Sequence, residues 1–145
     1  MSKLEDFLTA DEEANIVEAI RTAEKSTSGE IRVHIESTCD GPVEDHAMEV
    51  FHLLKMDNTK AQNGVLIYVA INKKEFVIYG DSGINAVVGQ TFWDSTRDIM
   101  ASHFKKGEFA QGLIEGVLRA GKELSAHFPW IHGDIDELDN SISVG

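Results

Sequence analysis

The chain has 145 residues, 42% of them hydrophobic and 26% charged, the size and composition of one globular domain with its own core. Thirteen basic residues against 25 acidic ones give a formal net charge of −12. Such a surface attracts cations and repels phosphate backbones and anionic headgroups, which argues against nucleic acid and bare membranes as partners. The single cysteine, Cys39, excludes an internal disulfide and a cysteine-based zinc site, and reads as a small buried residue at a strand end. The longest apolar run, Val65 to Ile71, is too short to span a bilayer, and the polar, acidic start Met1-Ser2-Lys3-Leu4-Glu5-Asp6 does not resemble an export signal. A cytoplasmic location without membrane insertion is the expectation.

Thr9-Ala10-Asp11-Glu12 has the form of a capping box and opens a helix to about Lys25, with Ile16, Ala19, Ile20 and Ala23 as its apolar stripe. Ser26-Thr27-Ser28-Gly29 ends it. From Glu30 to Glu36, Ile31, Val33 and Ile35 alternate with Arg32, His34 and Glu36, which predicts a strand near a sheet edge with one polar face. A second helix from Val43 to about Lys55 presents Val43, Ala47, Val50, Phe51 and Leu54 on one side. The run Gly64 to Ile71 is apolar on both faces and reads as a central strand. Asn72-Lys73-Lys74 turns it into a hairpin partner, Glu75 to Gly80.

A loop from Asp81 to Gln90 follows, with room for a short strand at Asn85 to Val88. Thr91-Phe92-Trp93-Asp94 predicts a capping box for a third helix, and Glu108 to Ala126 a fourth. Gly112, Gly116 and Gly121 each cost that helix about 1 kcal/mol of propensity, which close packing must offset. Residues 1–132 read as the domain, and residues 133–145 as a disordered acidic tail. The predicted architecture is a three-layer αβα sandwich: a small mixed sheet of about three to four strands, with about four helices. The first two strands are parallel through a crossover and the third antiparallel.

Those strand directions bring separated residues to one edge. The starts of the first two strands and the end of the third coincide there, so Glu30, Asp57, Asn63, Asp81 and Asp94 converge on it. Carboxylates gathered without basic neighbours must protonate, stay hydrated or share a cation. An all-oxygen set without His or Cys favours Ca²⁺, or another hard ion such as Mg²⁺, over zinc. Each residue also has an ordinary local explanation. Asp94 would be the N3 residue of the Thr91 capping box, Asp81 a turn residue accepting backbone N–H groups, Asn63 part of an Asn-Gly turn, and Asp57 a solvated loop residue.

Four blocks in order resemble the TPM domain family: Ser28-Gly29-Glu30-Ile31-Arg32-Val33, Asn63-Gly64-Val65-Leu66-Ile67-Tyr68-Val69-Ala70, Tyr79-Gly80-Asp81-Ser82-Gly83-Ile84 and Phe104-Lys105-Lys106-Gly107-Glu108-Phe109-Ala110-Gln111-Gly112-Leu113. That family includes thylakoid-lumen proteins linked to photosystem II repair and many bacterial proteins. The resemblance implies the αβα fold. It also implies calcium binding in the loops after the Gly-Asp block, in some members, and acid phosphatase activity in others. By block, it picks out Glu30, Asn63 and Asp81, with Asp94 just downstream. Relatives often carry a signal sequence, a membrane span or a Gly-rich tail, so this chain resembles a stand-alone version. The expected role is non-catalytic: divalent ions in crossing loops regulate contact with a protein partner. The alternative is a metal-dependent, phosphatase-like hydrolase with Asp81 as nucleophile or base and Lys60 as the nearest phosphate-holding cation.

Overall fold

The computed structural model describes residues 7–56, 62–89, 91–129 and 142–144. These form helices α1 (Ala10–Glu24), α2 (Val43–Leu53), α3 (Ser82–Asn85), α4 (Asp94–Lys105) and α5 (Phe109–His127), and strands β1 (Glu30–Glu36), β2 (Gly64–Ala70), β3 (Glu75–Gly80) and β4 (Ser143–Val144). The capping box of α1 is complete. The Glu12 N–H donates to Thr9 Oγ1 at 3.1 Å and the Thr9 N–H to Glu12 Oε1 at 2.9 Å.

The sheet order is β3-β2-β1-β4, with β1 parallel to β2 and β4, and β2 antiparallel to β3. Alternation splits it into two faces. Ile31, Val33, Ile35, Val65, Ile67 and Val69 join buried residues of α1, α4 and α5 in one core. Leu66, Tyr68 and Ala70 join Cys39, Met56 and the buried face of α2 in the other. The result is the expected three-layer sandwich. β2 is buried along its whole length.

The glycines of α5 are points of close approach. A Cβ at Gly121 would sit 2.6 Å from the Ala23 Cβ, and one at Gly116 would sit 2.4 Å from the Met100 sulfur. One at Gly112 would sit 2.5 Å from the Phe104 ring. Their absence lets α1 and α4 pack directly onto the α5 backbone, which offsets the lost propensity.

Four expectations are corrected. Residues 82–85 form a short helix, so the strand expected from Asn85 to Val88 does not form. Asp81 caps that helix by accepting from the Ser82 N–H at 2.7 Å. Helix α4 starts from Trp93 without a side-chain cap, which makes Asp94 its first residue and not the N3 partner of Thr91. The even-numbered face of β1 is not a solvent face, because His34 is 4% exposed and stacks on Tyr68. Its ring also meets Ser143 Oγ at 3.0 Å and Glu36 Oε2 at 2.5 Å. Finally, the tail reading fails at Ser143 and Val144, which pair with His34 and Ile35 as β4. Residues 133–141 lie outside the described residues.

Candidate functional site

Register brings three segments together at one edge of the sheet. Glu30 pairs with Gly64, and Val65 with Gly80. The Asp81 N–H donates to the Gly64 carbonyl at 2.9 Å, and the Glu30 N–H to the Asn63 carbonyl at 3.3 Å. Gln62 fastens the third segment. Its carbonyl accepts from the Gly83 N–H at 2.8 Å, and its Oε1 accepts from Ser82 Oγ at 2.9 Å. Asn63 Nδ2 donates to Ser28 Oγ at 3.3 Å. The starts of β1 and β2 and the end of β3 are therefore stitched into one surface, as the strand directions required.

Glu30, Asn63 and Asp81 are 3%, 2% and 8% exposed, which is unusual for three such polar side chains. Alternation places Glu30 on the α2 face with Arg32 and His34. Continued one residue past β3, it places Asp81 on that face with Val77 and Tyr79. Between them lies Gly64, with no side chain. A Cβ there would come within 3.0 Å of the Met56 carbonyl oxygen. That oxygen and the Phe51 ring, 3.7 Å from the same point, cover Gly64, with Glu30 and Asp81 on the neighbouring strand ends to either side. Asp81 Oδ1 is satisfied by the Ser82 N–H, but Asp81 Oδ2 is buried with no hydrogen-bond partner among the described residues. An ionised carboxylate in that condition is costly unless something positive reaches it.

Not every expected member joins this edge. Asp57 and Lys60 lie outside the described residues. Asp94 is exposed in the first turn of α4, and its carboxylate accepts from Arg97 in an i,i+3 ion pair. Among the described residues no group of three or more His, Cys, Asp or Glu side chains is placed to hold a metal ion. Any cation here would draw on two carboxylates, the Asn63 amide and backbone carbonyls, a donor set that fits a hard ion.

Sequence reasoning missed two contributors. Gln62, in the left-handed region at φ 51°, binds both Ser82 and Gly83, and its only signal was its place before Asn63-Gly64. Glu24 is 8% exposed and accepts from the Ile31 N–H at 2.9 Å, tying α1 to the start of β1. Its signal was helical spacing, since it falls four residues after Ile20 on the apolar stripe.

The TPM domain family model matches residues 1–123. The NMR structure of the BA42 protein from the psychrophilic bacterium Bizionia argentinensis is 63% identical, covers 100% of both chains and superimposes with a TM-score of 0.93. The N-terminal domain of a protein from P. gingivalis, solved by NMR, is 24% identical over 84% of this chain and 79% of its own, with a TM-score of 0.70. At that identity it speaks for the fold alone. No curated protein sequence matches. The fold, the family match and the 63% identity agree, and the chain belongs to the TPM domain family.

Proposed function

We propose that this TPM domain binds a divalent cation, Ca²⁺ ahead of Mg²⁺, at the sheet edge formed by Glu30, Asn63 and Asp81. Asp81 and Glu30 are the charged donors and Asn63 is an amide donor. Asp57, expected with them from the sequence, lies outside the described residues, and Asp94 is left to Arg97. The supporting observation is Asp81 Oδ2, a buried carboxylate oxygen with no hydrogen bond among the described residues, on the same face as the buried Glu30. A cation there offsets the burial of two like charges and draws the segments at 28–30, 62–64 and 80–83 tighter. Occupancy then regulates how this edge meets a protein partner. Among the described residues no helix is long and apolar enough to cross a membrane, so the reading invokes no insertion.

A two-dimensional NMR titration with Ca²⁺, Mg²⁺ and EDTA tests this. The expected shifts lie at Glu30, Gln62–Gly64 and Asp81–Gly83, with saturation and reversal by EDTA. No shifts at millimolar calcium would sink the reading. The hydrolase alternative draws on one observation: Arg32, two residues along from Glu30 on the same face, has a buried Nε without a hydrogen-bond partner. A guanidinium so placed is a candidate to hold a phosphate. Cation-dependent turnover of an aryl phosphate, abolished by Asp81→Ala with the fold intact, would favour it.

A further inference from the structure

The opposite end of the sheet has a different chemistry. There, where β2 ends and β3 begins, a cleft of about 570 Å³ opens between the sheet, α4 and the start of α5. Phe7, Phe76, Phe104 and Phe109 line it, together with Val69, Ile71 and Ala101. Four of the seven phenylalanines in the chain therefore meet in one place, and each is only half-buried. Their rings touch in sequence: Phe7 on Phe109 at 4.5 Å between centroids, Phe109 on Phe104 at 5.7 Å, and Phe104 on Phe76 at 5.0 Å. Gly112 sets the depth by letting the Phe104 ring lie against the α5 backbone.

The mouth is basic. Lys74, in the β2–β3 turn, and Lys105, the last residue of α4, both line the cleft and are exposed. Neither ammonium group has an ionic or hydrogen-bonding partner among the described residues. Glu75 is the one carboxylate in the lining, so the mouth carries a net positive charge on a chain whose net charge is −12. A cleft of this volume with an apolar body and a few convergent charges has the anatomy of a small-molecule site. Its polarity specifies an apolar tail with an anionic head.

We propose that this cleft binds an amphipathic carboxylate, a free medium-chain fatty acid in class. The tail lies among Phe7, Phe76, Phe104 and Phe109, and the head lies between Lys74 and Lys105. The site shares no residue with the Glu30–Asp81 edge and sits at the other end of β2, about 20 Å away.

The test is NMR titration of the full chain with decanoate and with decanol, below micelle formation and in EDTA, so the result is independent of calcium binding. Decanoate should shift Ile71, Phe76, Ala101, Phe104 and Phe109 while leaving Glu30 and Asp81 in place. The Lys74→Gln, Lys105→Gln double variant, a change of two exposed side chains that leaves the core intact, should weaken decanoate about fivefold and leave decanol unchanged. Ala101→Leu, which fills the cleft, should remove both. Scattered or absent shifts would overturn the proposal. So would decanol binding as tightly as decanoate with the double variant unaffected.

Discussion

Glu30 and Asp81 flank Gly64 on the same face of the sheet, and the missing side chain between them lets the Met56 carbonyl approach. Gly64→Ala tests that spacing directly. Its Cβ would meet a backbone oxygen at 3.0 Å, which cannot swing aside as a side-chain tip does. We expect a loss of about 1–3 kcal/mol in urea denaturation, the range for overpacking. Calcium should also shift Asp81 less in NMR spectra of the variant than in those of the parent. A variant as stable as the parent and equally responsive would show that the Met56 segment moves freely.

Asp81→Asn separates the energetics of the empty and filled site. Asparagine keeps the shape and removes the buried charge, so in EDTA the variant should match or exceed the parent in stability, by up to about 1 kcal/mol. With calcium at roughly a hundred times its dissociation constant the parent should gain about 2.7 kcal/mol, and the variant much less. Asp94→Asn, which removes only the Arg97 pair, should leave the calcium increment unchanged. Thermal melts of the three proteins with and without calcium give the answer.

Tyr68 predicts alkaline sensitivity. Its side chain is fully buried, and its hydroxyl makes no hydrogen bond of normal geometry. Burial above all, and then the Cys39 thiol and the charges of Glu36 and Glu49, push its pKa well above the ordinary 10.0. The folded state keeps this proton where the unfolded chain loses it, so the associated stability is full below about pH 10 and falls as pH rises further. Urea midpoints measured from about pH 9 to about pH 11 should fall less for Tyr68→Phe than for the parent.

The glycines of α5 should not respond alike to alanine. Each replacement recovers about 1 kcal/mol of helix propensity. At Gly121 the new Cβ meets Ala23, including its Cα at 3.0 Å and carbonyl at 3.1 Å, so α1 must back away and the net change should be a loss of about 1–2 kcal/mol. At Gly116 the obstacle is the flexible Met100 side chain, which can rotate, and the net change should be smaller. Equal effects at both positions would contradict this packing.

The parts of the fold that were legible in the sequence are those written in short-range patterns. The alternation of β1, the apolar run of β2, the hairpin and the Thr9–Glu12 box each depend on residues within a few positions of one another. Two of the failures depend on distant partners. Arg32, His34 and Glu36 alternate as a solvent face should, but His34 is covered by Tyr68 and by Ser143, 109 residues away. The same pairing turns the end of a tail that looked disordered into β4. At the candidate site, strand direction alone was enough to bring Glu30, Asn63 and Asp81 to one edge. It could not reveal that Glu30 is buried, that Gln62 ties the loops, or that Asp94 belongs to Arg97. Those depend on side-chain neighbours that strand direction does not specify.

The knot that closes the Glu30 edge joins the two ends of the domain. The Thr27 hydroxyl and the Ser28 N–H, the latter at 2.9 Å, both donate to the Phe128 carbonyl, and Thr27 bridges to Pro129. The Gly29 N–H donates back to Thr27 Oγ1 at 3.0 Å. The two sides of this clasp lie 101 residues apart. A growing chain on the ribosome therefore carries Glu30 early but cannot lock it in place until the last turn of α5 has emerged. The edge with the most chemistry closes late, and a product cut short before Phe128 would keep both carboxylates while losing the clasp that positions one of them.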